Sequence, residues 1–151
     1  MDDYDQKILR ILQEEGRIKI GELADRVGLT ATPCARRVAM LETNEIITGY
    51  GADVSQDKLG LPVTAFISVR LDRQSADVVQ SFERAISVFD EVMECHLMSG
   101  VGDILLKVVA KDLAGFNEFL EHRLMRVQGI NSMSTSFALR AMIKRKALPR
   151  V

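Results

Sequence analysis

The stretch Gly28-Leu29-Thr30-Ala31-Thr32-Pro33-Cys34-Ala35-Arg36-Arg37-Val38-Ala39-Met40-Leu41-Glu42 constrains this chain more than any other. It reads as a turn and then a short helix with its own opening signals. Thr30 is placed to cap the start, and Pro33 falls in the first turn, where no backbone donor is lost. At about 100° per residue, Cys34, Val38 and Leu41 share one face. Thr32, Arg36 and Ala39 point the opposite way, with Met40 near them and Arg37 on the flank. One face is for packing and the other for contact. Hydroxyls and small residues at the N-terminus with arginines one turn in suit a DNA major groove, where Thr meets base edges or phosphate and Arg reads guanine. Taken alone, the same stretch is equally an ordinary amphipathic helix with solvated arginines.

The preceding residues weigh in the choice. Asp2 and Asp5 stand ahead of Ile8, Leu9, Ile11 and Leu12, a capping-box-like start to a helix with an inward stripe that Gly16 ends. A second helix runs from about Gly21 to Val27, with Leu23, Ala24 and Val27 inward and Gly28 supplying the left-handed residue that closes it. Three short helices, the last two joined by a tight Gly-containing turn, make a helix-turn-helix. Bulk charge does not help, since the chain carries a net charge of −1 and its first fifty residues hold seven Lys/Arg against nine Asp/Glu. Any DNA affinity must come from a local patch. The acidic N-terminus is no export signal, and no apolar run approaches the ~20 residues of a membrane span. A soluble, cytoplasmic protein is expected, with Cys34 and Cys95 as buried free thiols.

The residues Met1-Asp2-Asp3-Tyr4-Asp5-Gln6-Lys7-Ile8-Leu9, Gly16-Arg17-Ile18, Glu22-Leu23-Ala24, Val27-Gly28-Leu29-Thr30, Pro33-Cys34, Arg36-Arg37-Val38, Leu41-Glu42, Ile46-Ile47 and Gly49-Tyr50 keep one order and spacing. In these the chain resembles the DNA-binding half of the leucine-responsive/asparagine-responsive (Lrp/AsnC, feast/famine) transcription regulators. The resemblance implies that Thr30 to about Thr43 is the recognition helix, with Thr30, Thr32, Pro33, Arg36 and Arg37 at the groove. Arg36 is the first choice for base readout and Arg37 for phosphate. Two departures stand out. Lys19 and Ile20 replace the polar cap that usually precedes the second helix, and Glu45 stands where a glycine usually ends the third. Asn44 is then expected to take the left-handed role.

Domains are expected at 1–50 (helix-turn-helix), 51–62 (linker and hinge) and 63–151. The linker ends in the turn-rich run Ser55 to Pro62. In the resembling family it forms a wing-like or hinge strand that also pairs between subunits. Tyr50 reads as a half-buried packing residue ahead of a DNA contact. Beyond it the chain alternates. Val63 to Leu71 has a period of two; Val78, Phe82, Ala85, Ile86 and Phe89 mark a helix face; Val92 to Met98 and Ile104 to Ala110 read as strands about the turn Ser99-Gly100-Val101-Gly102-Asp103. Asp112 caps a second helix with Leu113, Phe116, Leu120 and Leu124 inward, and Gly129 breaks it. A last strand puts Met133, Thr135, Phe137, Leu139, Ala141 and Ile143 on one face. The order βαββαβ predicts an α+β fold, with a ferredoxin-like sandwich following a winged-helix-like helix-turn-helix. Its second face, with Phe66, His96, Met98, Ala138 and Met142, is too apolar to stay bare, so another subunit is expected to cover it.

The turn and strand from Gly100 to Leu106, together with Gly129-Ile130, Thr135 and the closing Lys144 to Pro149, resemble the same family's regulatory domain. By themselves the glycines of the turn let backbone donors approach a ligand, and Asp103 suits an ammonium group, yet a hairpin needs such residues anyway. The resemblance implies an amino-acid effector bound between dimers, lined by Gly100, Gly102, Asp103, Ile104, Thr135 and Ser136, and a homodimer that assembles further. No catalytic or metal-binding set is visible: His96 and His122 lack ligand-like company and read as satisfied or surface histidines. No cofactor is expected. The reading is therefore a sequence-specific regulator on double-stranded DNA, not an enzyme. The alternatives are an architectural DNA-binding protein of low specificity and, behind it, a tetrapyrrole decarboxylase of related architecture.

Overall fold

A computed structural model describes residues 1–100, 102–145 and 147–149. The chain divides into two compact units, Met1–Asp53 with Met142–Val151, and Val54–Ala141. The described residues 142–145 and 147–149, expected with the C-terminal domain, group with the helical unit.

The first unit holds α1 (Asp3–Glu14), α2 (Ile20–Val27) and α3 (Ala31–Thr43). Asp2 accepts from the backbone N–H of Asp5 while Asp5 accepts from that of Asp2, closing the capping box expected at α1. Gly28 ends α2 at φ 78°, its N–H directed at the carbonyls of Ala24 and Asp25. Ile8, Leu23, Ala24, Val27, Cys34 and Leu41 are buried together, so each helix contributes the face its periodicity indicated. Two local expectations need correction. Thr30 occupies the N-cap position of α3, but its side chain makes no capping hydrogen bond. Glu45, not Asn44, takes the left-handed conformation, at φ 56°. Asn44 stays at φ −85°, its N–H still bonded to Met40 O, so the reversal falls one residue later. No strand is assigned between α3 and the first strand of the second unit. A strand that pairs across subunits has no partner within one chain.

The second unit runs β1 (Val63–Leu71), α4 (Ala76–Ile86), β2 (Val92–Leu97), β3 (Ile104–Ala110), α5 (Leu113–His122), a 3₁₀ turn (Leu124–Arg126) and β4 (Ile130–Phe137). The strands lie in the order β2-β3-β1-β4, every pair antiparallel, as a ferredoxin-like sheet requires. Ala65, Ile67, Val69 and Leu71 meet Leu106, Val108, Phe82, Ile86, Phe116 and Phe119 in the core.

Three expectations are corrected here. Leu113 is 59% exposed because it directly follows the Asp112 cap, and Phe119 fills the core in its place. The helix ends at His122 instead of running to Gly129, and Leu124 reaches the core from the 3₁₀ turn. Finally, β4 stops at Phe137, opposite Ala65, because its partner β1 begins at Val63 and the ladder runs out after Ala138 bonds Thr64 O. Leu139 and Ile143 are left 98% and 74% exposed.

Candidate nucleic-acid interface and effector turn

Burial divides α3 as the period required. Cys34 and Leu41 lie in the core, while Thr32, Arg36, Ala39 and Met40 are exposed and Pro33 is intermediate. Arg36 and Arg37 are neighbours with different surroundings. The Nη1 of Arg37 is 2.8 Å from Asp2 Oδ2 and 2.8 Å from Asp5 Oδ1, and its guanidinium lies 5.4 Å from the centre of the Tyr4 ring. The residue expected to reach phosphate is tied to the capping box of α1. That box holds the Asp2 carboxyl below its ordinary range, through the Asp5 N–H first and Arg37 after it. The two carboxylates raise the Arg37 guanidinium in turn. Tyr4 was not singled out from sequence; an aromatic three residues ahead of Lys7 on the first turn was its only signal.

The other end of α3 is also anchored. Tyr50 is 54% exposed, so it is less enclosed than the half-buried packing residue expected, but its hydroxyl donates to Glu42 Oε1 at 2.9 Å. Desolvation of the hydroxyl and then the Glu42 carboxylate push it up to about 12. Helix α3 is therefore held at its middle by α1 and at its C-terminal end by the segment that follows it. Among the described residues Arg36 has no such tie.

In the second unit the turn between β2 and β3 is described except for Val101. Gly100 sits at φ 126°, a conformation side chains rarely adopt. Gly102 packs against β1 so closely that a β-carbon would collide with Ser68 Oγ. Asp103, expected to face an ammonium group, is 8% exposed; its Oδ2 accepts from the Leu71 N–H at 2.7 Å and its Oδ1 from the Gln74 amide. Its carboxylate fastens the turn to the end of β1. Gln74 carried no motif, and only the fold brings it there.

The six expected effector residues do not share one surface within the chain. Ile104 is buried in the core at 2% exposure. Thr135 pairs with core-facing Ile67, whereas Ser136 pairs with Phe66 on the open face. Gly102 meets that same open face at Ser68, whose cross-strand partner is Ser134. The open face is more polar than expected. Phe66 is 38% exposed among Ser68, Ser134, Ser136 and the pairs that Glu94 makes with Lys107 at 2.6 Å and His96 at 3.2 Å. Lys107 and then His96 lower the Glu94 carboxyl. Met142, expected on this face, falls in the first unit. Of the thiols only Cys34 is buried, and Cys95 lies exposed on the edge strand β2; desolvation raises both above the ordinary thiol value, with Glu83 adding to it at Cys95. Of the closing run Lys144 to Pro149, Lys146 lies outside the described residues.

Residues 1–48 match a family model described as winged helix-turn-helix DNA-binding, and residues 64–148 match one described as Lrp/AsnC ligand binding domain. The chain is 39% identical over 149 residues to the Bkd operon transcriptional regulator of Pseudomonas aeruginosa, covering 99% of this chain and 97% of that one. It is 38% identical over 135 residues to the leucine-responsive regulatory protein of Escherichia coli, covering 89% and 82%. Among solved structures, a transcriptional regulator of Neisseria meningitidis in complex with L-Met superposes with a TM-score of 0.94 at 34% identity, over 99% of this chain and 96% of that one.

Proposed function

Since the chain belongs to the Lrp/AsnC family of transcription regulators, we propose that it reads specific double-stranded DNA sites as a symmetric homodimer and that an amino acid modulates it. The observation that carries the DNA reading is the division of labour on α3. Cys34 and Leu41 seat the helix, Arg37 anchors its middle and Glu42 its C-terminal end, and Thr32 and Arg36 are left exposed on the remaining face. Arg36 then reads a base edge, Thr30, Thr32 and Pro33 meet the groove wall, and Arg37 positions the helix. Two such helices in a two-fold dimer address half-sites about one helical turn apart. The protein works on DNA in the cytoplasm and transforms no substrate; among the described residues no helix is long and apolar enough to cross a membrane.

Arg36→Ala tests the groove assignment. It relaxes discrimination by about 1–3 kcal/mol at one base position. Equal weakening on all sequences would remove Arg36 from base readout.

We place an amino-acid effector at the β2–β3 turn; the L-Met complex of a neighbouring regulator supports the class of effector. There the backbone of Gly100 and Gly102 supplies donors for a carboxylate, and Ser136 lies on the same open face. Asp103 holds the turn's shape, while Ile104 and Thr135 set the packing beneath it. A second subunit completes the site and covers Phe66, and dimers assemble further. A melting scan against the twenty amino acids, with mass followed by light scattering, tests this. A ligand at 100 times its dissociation constant adds ~2.7 kcal/mol. No shift with any amino acid would leave the turn as a hairpin only.

A further inference from the structure

We infer that the basic C-terminal tail is a second DNA-contacting element, one that adds phosphate neutralisation to an acidic helix-turn-helix. This rests on the DNA reading above and extends it to residues outside the three helices. Residues 1–53 hold seven Lys/Arg against ten Asp/Glu, a net −3 on the unit that must approach a polyanion. Arg37 is already committed to Asp2 and Asp5, and Arg26 to Glu15 at 2.8 Å. Residues 142–151 carry Lys144, Arg145, Lys146 and Arg150 with no acidic residue. The described residues 142–145 and 147–149 group with the helices in one compact unit, and the Leu148 N–H donates to Gln13 Oε1 of α1 at 2.8 Å. By sequence, residues 1–53 and 142–151 together hold eleven Lys/Arg against ten Asp/Glu, a net +1.

Lys144 and Arg145 are both exposed. Cations held beside a helix-turn-helix add affinity through counterion release, which carries no sequence information. The tail therefore raises binding to all duplexes alike, and the recognition helix chooses among them.

The test uses the full chain and its double variant Lys144→Gln/Arg145→Gln, titrated with a duplex over a series of salt concentrations, with protomers per duplex counted by light scattering. The expected result is a slope of log affinity against log salt shallower by about 2–4 for a bound dimer, at about 0.9 per phosphate contact and up to four contacts removed. The specificity ratio stays unchanged, and Lys144→Arg/Arg145→Lys keeps the full slope. An unchanged slope in the neutralised variant would overturn the inference, as would a shallower slope explained by fewer protomers on the duplex. Absence of DNA binding by the unaltered chain would sink the DNA reading itself and this inference with it, whereas an unchanged slope would leave that reading standing.

Discussion

Arg36 and Arg37 are adjacent, and the 100° between them decides what each does. The rotation leaves Arg36 exposed and turns Arg37 back onto α1, where two carboxylates meet its Nη1. Arg37→Ala is expected to lower the melting midpoint of the helical unit and to weaken binding to every duplex equally. A base-specific loss would reassign it to readout. The same tie gives a pH dependence. The Asp2 carboxyl is lowered from its ordinary 3.8, so its contribution is fully present above that value and is lost as pH falls through the lower native one. Asp2→Asn therefore flattens the acid limb of the stability curve. At the alkaline end the sign reverses. Tyr50 is raised from 10 to about 12, so its hydrogen bond stabilises fully below pH 10 and is lost as pH rises through 12. Ultraviolet titration of tyrosinate should show a late component that Tyr50→Phe removes. Sequence spacing placed Arg37 on the flank of α3 but could not show its partner, which lies thirty-two residues away. For the same reason Asp103 looked available to an ammonium group: its partners Leu71 and Gln74 are about thirty residues distant and met only through the fold.

Helix and strand identities were legible because periodicity is a local property, whereas their ends depend on partners. Val63 to Leu71 and Ile104 to Ala110 occupy the expected residues, since alternation and flanking turns defined both. The alternation after Phe137 continues in sequence, but a strand lasts only as long as its neighbour, and β1 has none left to offer. In α5 a heptad-like reading chose Leu113 over Phe119, and the two are readily distinguished. Phe119→Ala should cost about 3–5 kcal/mol, against about 0.5 kcal/mol or less for Leu113→Ala, by chemical denaturation. At the end of α3, Glu45 holds φ 56°, where a β-carbon is disfavoured by roughly 1–2 kcal/mol. Glu45→Gly relieves that strain but loosens the unfolded chain, so a net gain of about 0.5–1 kcal/mol is expected. A loss would mean that the Glu45 side chain makes a contact that matters more than its backbone.

At the scale of the molecule, two compact units separate two tasks. One seats a helix with a bare contact face; the other fixes a glycine turn against an open, partly polar sheet face. Their order in the chain was legible from the change of period near residue 62. The return of the described residues 142–145 and 147–149 to the helical unit was not, because no periodic pattern marks them. The open sheet face gives dimerisation a physical motive. Phe66 stays 38% exposed in one chain, and light scattering should find at least a dimer, with Phe66→Asp shifting it toward monomer. Monomer and half-site binding together would contradict a two-fold reader. The most direct measurement is the ratio of affinities for a duplex enriched by the protein from random sequence and for a scrambled duplex, at one fixed salt concentration. A ratio of ~10³ or more, lowered by Arg36→Ala, is the expected result for a sequence-specific regulator. A ratio near one, following salt alone, would make the protein an architectural DNA binder.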